Sequence, residues 1–282
     1  MHNDQAQRER MSRRAVKMDA EARQAAARQD FIKEVQAASR HRFAVEVFAD
    51  MVRCMAIALE SPLVFGERHE HVEAEYEQIR SRYDKEEFSH FPMAFAIVQD
   101  ALERRREDFL GHALEALGAA NTRNGQFLTP VSVSRFMAQV NCATPPEGYK
   151  LGDVVRLWDP SCGSSVLLIE GAEQLVSVGV AQSDVLIYAG DIDNRACDIS
   201  YVQLSLLGYA AVVQHADSLA MKRISPDRFT LGYFMHAYPM RRAVHRNLSP
   251  AVPSPSLDGP GVAGEPSSPP CEGPVQMELF AS

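Results

Sequence analysis

The sequence predicts an α/β protein: helices over residues 1–118, an open parallel sheet over 119–247, a disordered linker over 248–275 and a short linear motif over 276–282. Three observations carry this. Apolar residues recur at spacings of three and four as far as Leu117. From residue 150 the pattern changes to short β-branched runs alternating with helical stretches. In 249–275, 17 of 27 residues are Pro, Ser or Gly, too few apolar groups to offset the entropy of ordering the chain.

Residues 1–42 carry 10 Lys/Arg against 6 Asp/Glu, net +4, around the alanine-rich stretch EARQAAARQD. Good helix formers with little to bury read as a solvated helix or a mobile basic arm. Phe43, Val47, Met51, Val52, Met55 and Leu59 then mark one face of a buried helix that Ser61-Pro62 ends. The charged run 69–89 reads as exposed helix or loop. A second stripe runs from Phe95 to Leu117, with Gly118 as terminator. Beyond 150, DVVRLW (153–158), DVLIYAG (184–190) and AAVVQHA (210–216) read as strands, separated by helices over 164–179 and 194–209. That alternation implies parallel strands with right-handed crossovers.

The net charge of −8 excludes a uniformly basic nucleic-acid coat. Five scattered cysteines without a CxxC pair fit a reducing cytoplasm better than a disulfide or zinc scaffold. The opening MHNDQAQRERMSRR has no apolar signal core, and no apolar run is long enough to span a membrane, so a cytoplasmic protein is expected. His69-Glu70-His71 lacks HExxH spacing and sits in a charged run, so no metal site is expected.

In open α/β sheets ligands bind outside the carboxyl ends of the strands. The first strand runs into Asp159-Pro160-Ser161-Cys162-Gly163-Ser164-Ser165, small residues that let a backbone approach a ligand and open a helix N-terminus towards it. The second ends at Asp191-Ile192-Asp193, where a carboxylate can accept from both ribose hydroxyls. The third ends at Asp217-Ser218, where an acid can meet an adenine amino group. The three acids follow at intervals of 32 and 26 residues, one strand–helix unit each. GxGxxG and GxxxxGK[ST] are both absent, which suits S-adenosylmethionine better than NAD or ATP. The bland alternative is that these acids only cap the following helices.

Four elements resemble the adenine-specific N6 DNA methyltransferases of the type I restriction-modification kind. Gly125-Gln126-Phe127-Leu128-Thr129-Pro130 resembles GQFYTP; Asp159-Pro160-Ser161-Cys162-Gly163-Ser164 resembles the cofactor loop DPxCGSG, with Ser165 in place of its last glycine; Tyr188 to Asp193 resembles the ribose element; and Ala216 to Leu219 resembles the adenine element. The resemblance implies a truncated class I (Rossmann-like) methyltransferase sheet, S-adenosylmethionine as cofactor and DNA as partner. It assigns the cofactor to Gly125, Phe127, Thr129, Pro130, Asp159, Pro160, Cys162, Gly163, Asp191, Ile192, Asp217 and Ser218, with Asp191 the better ribose acid and Cys162 a packing residue.

The family's catalytic [ND]PP[YF] is absent. Phe229 to Met235 reads as a fourth strand, followed only by Tyr238-Pro239, an aromatic and a proline in the wrong order and the sole catalytic candidates. Either the chain is a degenerate or truncated relative, or another subunit supplies the missing parts. Residues 221–247 carry net +5, with Lys222, Arg223, Arg228, Arg241 and Arg242 interleaved with aromatics. That pattern suits nucleic acid, or a strand with buried aromatics and solvated arginines. Gln276-Met277-Glu278-Leu279-Phe280 resembles the bacterial sliding-clamp pentapeptide, in which Gln276, Leu279 and Phe280 would fill the pocket; an incidental terminus or a strand docked on the domain are the alternatives.

Overall fold

The computed structural model describes residues 2–118, 129–237 and 276–278. Helices α1 (His2–Ala37), α2 (Ala44–Glu60), α3 (Glu67–Arg80), α4 (Lys85–Arg104) and α5 (Phe109–Ala116) build the N-terminal layer. α2 buries Val47, Phe48, Met51, Val52 and Met55, the face its spacing defines. Phe43, assigned to the same stripe, instead precedes the first turn and is exposed.

For one face of the described part of α1, the expectation of a solvated helix or loose arm is overturned. Ala27, Phe31, Val35 and Ala38 belong to the main core, and Phe31 meets Phe48 and Phe109 edge to face at 5.9 Å. Alanines bury little area each, so the stripe is inconspicuous in the sequence. Here they let α1 lie close against α4 and α5. The single stripe from Phe95 to Leu117 is two helices, because Asp108 caps a new N-terminus by accepting from Gly111 N at 2.9 Å.

α6 (Val131–Asn141) leads into the sheet. Strands β1 (Val155–Asp159), β2 (Val185–Asp191) and β3 (Ala210–Asp217) are parallel and joined by α7 (Val166–Ser177) and α8 (Asn194–Leu206), as the alternation predicts. Val155, Leu157, Ile187, Ala189, Ala211 and Val213 share one core with the N-terminal helices. Leu186, Ala210 and Val212, on the opposite face, join a smaller cluster with Tyr233 and Ala237.

After β3 the chain departs from expectation. Phe229 to Met235 is not a fourth parallel strand. The chain doubles back as β4 (Lys222–Arg223) and β5 (Arg228–Phe229), both antiparallel to β3, and then coils into a π-helical turn, Tyr233–Ala237. Phe229, Tyr233 and Phe234 cluster, with ring centroids 4.7 to 6.0 Å apart. That packing needs a coiled backbone, and a short apolar run cannot by itself distinguish strand from coil. At the other edge, β6 (Gln276–Glu278) lies parallel beside β1, giving the order β4-β3-β2-β1-β6. The linker expected over 248–275 lies outside the described residues.

An ion network ties the helical layer to the sheet. Arg53 on α2 pairs with Glu75 on α3 at 2.6 Å and with Asp198 on α8 at 3.1 Å. Asp198 also holds the Arg228 guanidinium at 2.5 Å, which lies over the Tyr201 ring at 5.1 Å. No described helix is long and apolar enough to cross a membrane, and the four described cysteines are free and buried.

Candidate cofactor site at the strand ends

The loop after β1 is fixed by backbone bonds to its neighbours. Asp159 Oδ1 accepts from Ser161 N at 2.9 Å. Cys162 N donates to Gly190 O at 2.8 Å, and Gly163 N donates to Asp191 Oδ2 at 2.9 Å. Gly163 and Ser165 both take left-handed backbone, φ 54° and 68°. α7 then begins without a side-chain cap on its first N–H groups. Those groups are donors for an anionic or carbonyl-bearing ligand.

Ser165 stands where the related motif has glycine, and a left-handed serine is held at a cost. Its hydroxyl donates to Ser200 Oγ at 2.7 Å, and Ser200 Oγ donates to Gly163 O at 3.0 Å. Ser165→Ala keeps the strained backbone and loses the bond, an expected cost of about 1 kcal/mol. Ser165→Gly loses the same bond but removes a left-handed penalty of about 1–2 kcal/mol. Thermal unfolding should therefore rank glycine above alanine; the reverse order would contradict the strain argument.

Register puts the three acids on one face. Asp159 lies opposite Ala189, and Asp191 lies two residues further along β2. Asp191 lies opposite His215, and Asp217 lies two further along β3. Side chains two residues apart share a face, so all three point to the same side, in a staircase with steps of roughly 8 Å between Cα atoms. Asp191 Oδ2 accepts from Gly163 N and Oδ1 from Asp193 N, both at 2.9 Å, so each oxygen keeps a lone pair. Asp193 plays a different part, because its Oδ1 accepts from Arg195 N at 2.9 Å and caps α8. Asp217 Oδ1 accepts from Ala220 N at 2.9 Å. Ile192, 61% exposed beside Asp191, offers an apolar surface to a flat ring.

Burial raises the Asp159 carboxyl pKa and the nearby Asp191 adds to this, against the Ser161 N–H. A carboxyl raised in the folded state loses stability as pH rises through its folded pKa, because ionisation is easier in the unfolded chain. Asp159→Asn keeps the acceptor for Ser161. It should stabilise the ligand-free protein at neutral pH, because it removes a charge disfavoured first by burial and then by Asp191. The gain should vanish as pH falls and the wild-type carboxyl protonates. Parallel melting curves for the two proteins across pH 4 to 8 would refute this.

Burial also pushes the Cys162 thiol well above its ordinary pKa, which makes it a packing residue. Pro130 O accepts from Val133 N and Ser134 N at the start of α6, with Thr129 just before it, while Gly125 and Phe127 lie outside the described residues. Lys222 and Arg223 are exposed, although Arg223 pairs with Asp227 at 3.2 Å. Arg228 is 5% exposed, so its charge is directed into the protein and not towards a nucleic acid. Tyr238, Pro239, Arg241, Arg242, Leu279 and Phe280 lie outside the described residues. Asp108, Ser200 and Gln203, which brace the loop after β1 from behind, carry no motif; only the helix-cap position of Asp108 is a usable sequence signal.

A parallel sheet with this strand order, a tight loop after β1 and acids stepping along its carboxyl edge has the Rossmann-like arrangement of class I methyltransferases. The N-6 DNA Methylase family model matches residues 105–237, just under half of the chain. Two solved structures are similar. A candidate class I S-adenosylmethionine-dependent methyltransferase from Listeria monocytogenes shares 15% identity over 77% of this chain and 70% of its own, with a TM-score of 0.39. The type I restriction-modification system methyltransferase subunit from Streptococcus thermophilus shares 14% identity over 67% of this chain, with a TM-score of 0.33; this chain covers only 56% of its length. No curated protein matches the chain. The residues fit the cofactor: an acid with a free lone pair on each oxygen suits a ribose diol, and an uncapped helix N-terminus suits the methionine carboxylate.

Proposed function

We propose that the chain binds S-adenosylmethionine at the strand ends and serves DNA adenine-N6 methylation, without completing methyl transfer alone. The observation that carries the binding claim is the staircase of Asp159, Asp191 and Asp217 on one sheet face, beside an uncapped α7 N-terminus. In this reading Asp191 holds the ribose hydroxyls and Asp217 the adenine amino group. Ile192 and Ser218 border the ring, Pro160, Cys162 and Gly163 shape the loop, and Gly125, Phe127, Thr129 and Pro130 close over the methionine end.

Weak catalysis follows from what comes after β3. The sequence holds no [ND]PP[YF], whose side chain and carbonyl would hold the amino group of a flipped adenine for attack on the sulfonium methyl. In a 3-2-1-4 sheet the fourth strand lies beside β1. Here the segments that directly follow β3 turn back along its far edge, and the described strand beside β1 is β6, Gln276–Glu278. A partner subunit would then supply the catalytic element, with Lys222 and Arg223 as exposed contacts to the DNA backbone. The test is methyl incorporation from labelled cofactor into mixed-sequence DNA by the purified chain. Binding without incorporation is expected; robust incorporation would overturn the degenerate reading.

A second reading attaches to Gln276-Met277-Glu278-Leu279-Phe280, which would tether the protein to the sliding clamp. Gln276–Glu278 pairs with β1, so clamp capture requires those residues to leave the sheet edge. Pulldown by the clamp should require residues 276–280; equal capture of a chain truncated after 275 would remove this reading.

A further inference from the structure

We infer that Asp108 is a positioning residue for the cofactor loop, acting through Ser164 from the helical layer. This rests on the strand-end site proposed above. Asp108, Ser164 and Gln203 are all buried. Asp108 Oδ2 accepts from Ser164 Oγ at 2.5 Å, and Oδ1 accepts from Gln203 Nε2 and Gly111 N at 2.9 Å. Gln203 Nε2 also donates to Ser164 O at 2.9 Å, while its Oε1 accepts from Leu110 N at 2.8 Å. Ser164 is thus gripped by both its hydroxyl and its carbonyl, from α5 and from α8 at once.

The grip matters because of where Ser164 sits. The residues on either side, Gly163 and Ser165, both hold left-handed backbone, and Gly163 N is the donor to Asp191. Strained backbone persists only when its surroundings over-determine it. The Asp108–Gln203 pair holds the residue between the left-handed glycine and the strained Ser165, so it sets the Gly163 N–H on Asp191 and the entry into the first turn of α7. Helix capping alone does not account for the burial: a cap works at the surface, whereas Asp108 makes no ion pair among the described residues and is sunk against the loop. Gly111 is fitted to the same device, because a Cβ there would come within 2.2 Å of Asp108 Oδ2.

The experiment is a double-mutant cycle on the full chain, read as the Kd for S-adenosylmethionine by calorimetry. Asp108→Ser keeps a good helix cap but is too short to reach Ser164; Ser164→Ala removes the bond from the other side. Each should weaken binding about tenfold, and the double variant should be no worse than Asp108→Ser, since neighbours in one network are not additive. Asp108→Asn should recover most of the affinity, its amide donating to a Ser164 hydroxyl that has turned to accept. Amide exchange at Gly163 and Ser165, measured without cofactor, should quicken in Asp108→Ser and Ser164→Ala. Wild-type Kd in both single variants, or fully additive losses, would overturn the inference. Should the wild-type chain bind no cofactor, the strand-end reading falls, and exchange at the two amides still decides: quickened exchange supports the role of Asp108 and unchanged exchange ends it.

Discussion

Asp198→Ala should cost about 3–5 kcal/mol of unfolding free energy, the range expected when one partner of a buried ion network is removed. Asp198 Oδ1 faces two guanidiniums, Arg53 at 3.1 Å and Arg228 at 2.5 Å. Arg53 would keep Glu75, but Arg228 would keep only the Tyr201 face among its pairings described above. A guanidinium cannot shed its proton, so the uncompensated charge stays buried or drags β5 out of place. Adding Arg228→Met to Asp198→Ala should restore part of the loss, because it removes the orphaned charge and keeps the volume. Urea unfolding of the single and double variants measures both. A loss under about 1 kcal/mol for Asp198→Ala would mean that the network is solvated like a surface pair.

Asp191→Ala should weaken S-adenosylmethionine binding by about 10- to 100-fold, the equivalent of one or two hydrogen bonds to a charged acceptor. The change deletes the ribose acceptor and also frees Gly163 N, which Asp191 Oδ2 holds at 2.9 Å. Asp193→Ala is the matched control. Asp193 caps α8, so its removal should cost roughly 1 kcal/mol of stability and leave affinity close to wild type. Calorimetry and thermal unfolding on both variants separate the two acids. Equal affinity losses would show that the cap, and not the strand-end carboxylate, shapes the site.

The parallel sheet was legible because both its periods are: β-branched runs of strand length alternate with helices, and each strand end carries a small-residue turn or an acid. The candidate site follows from that placement, since register puts Asp159, Asp191 and Asp217 on one face. The rest was hidden for physical reasons. Alanine carries almost no pattern, so the buried face of α1 through Ala27 and Phe31 looked solvated. Phe229, Tyr233 and Phe234 are equally at home in a strand or in a ring cluster, and only tertiary packing decides. Arg228 looked like a nucleic-acid contact because its buried partner, Asp198, lies 30 residues away in the chain. Asp108 and Gln203 belong to no motif, and their meeting at Ser164 depends on the docking of α5 against α8.

The most direct measurement is a crystal structure of the chain with S-adenosylhomocysteine. The account predicts the ribose against Asp191, the adenine towards Asp217, and the amino-acid end over Gly163 and the first turn of α7. Ligand density at another surface, or none at saturating concentration, would contradict it.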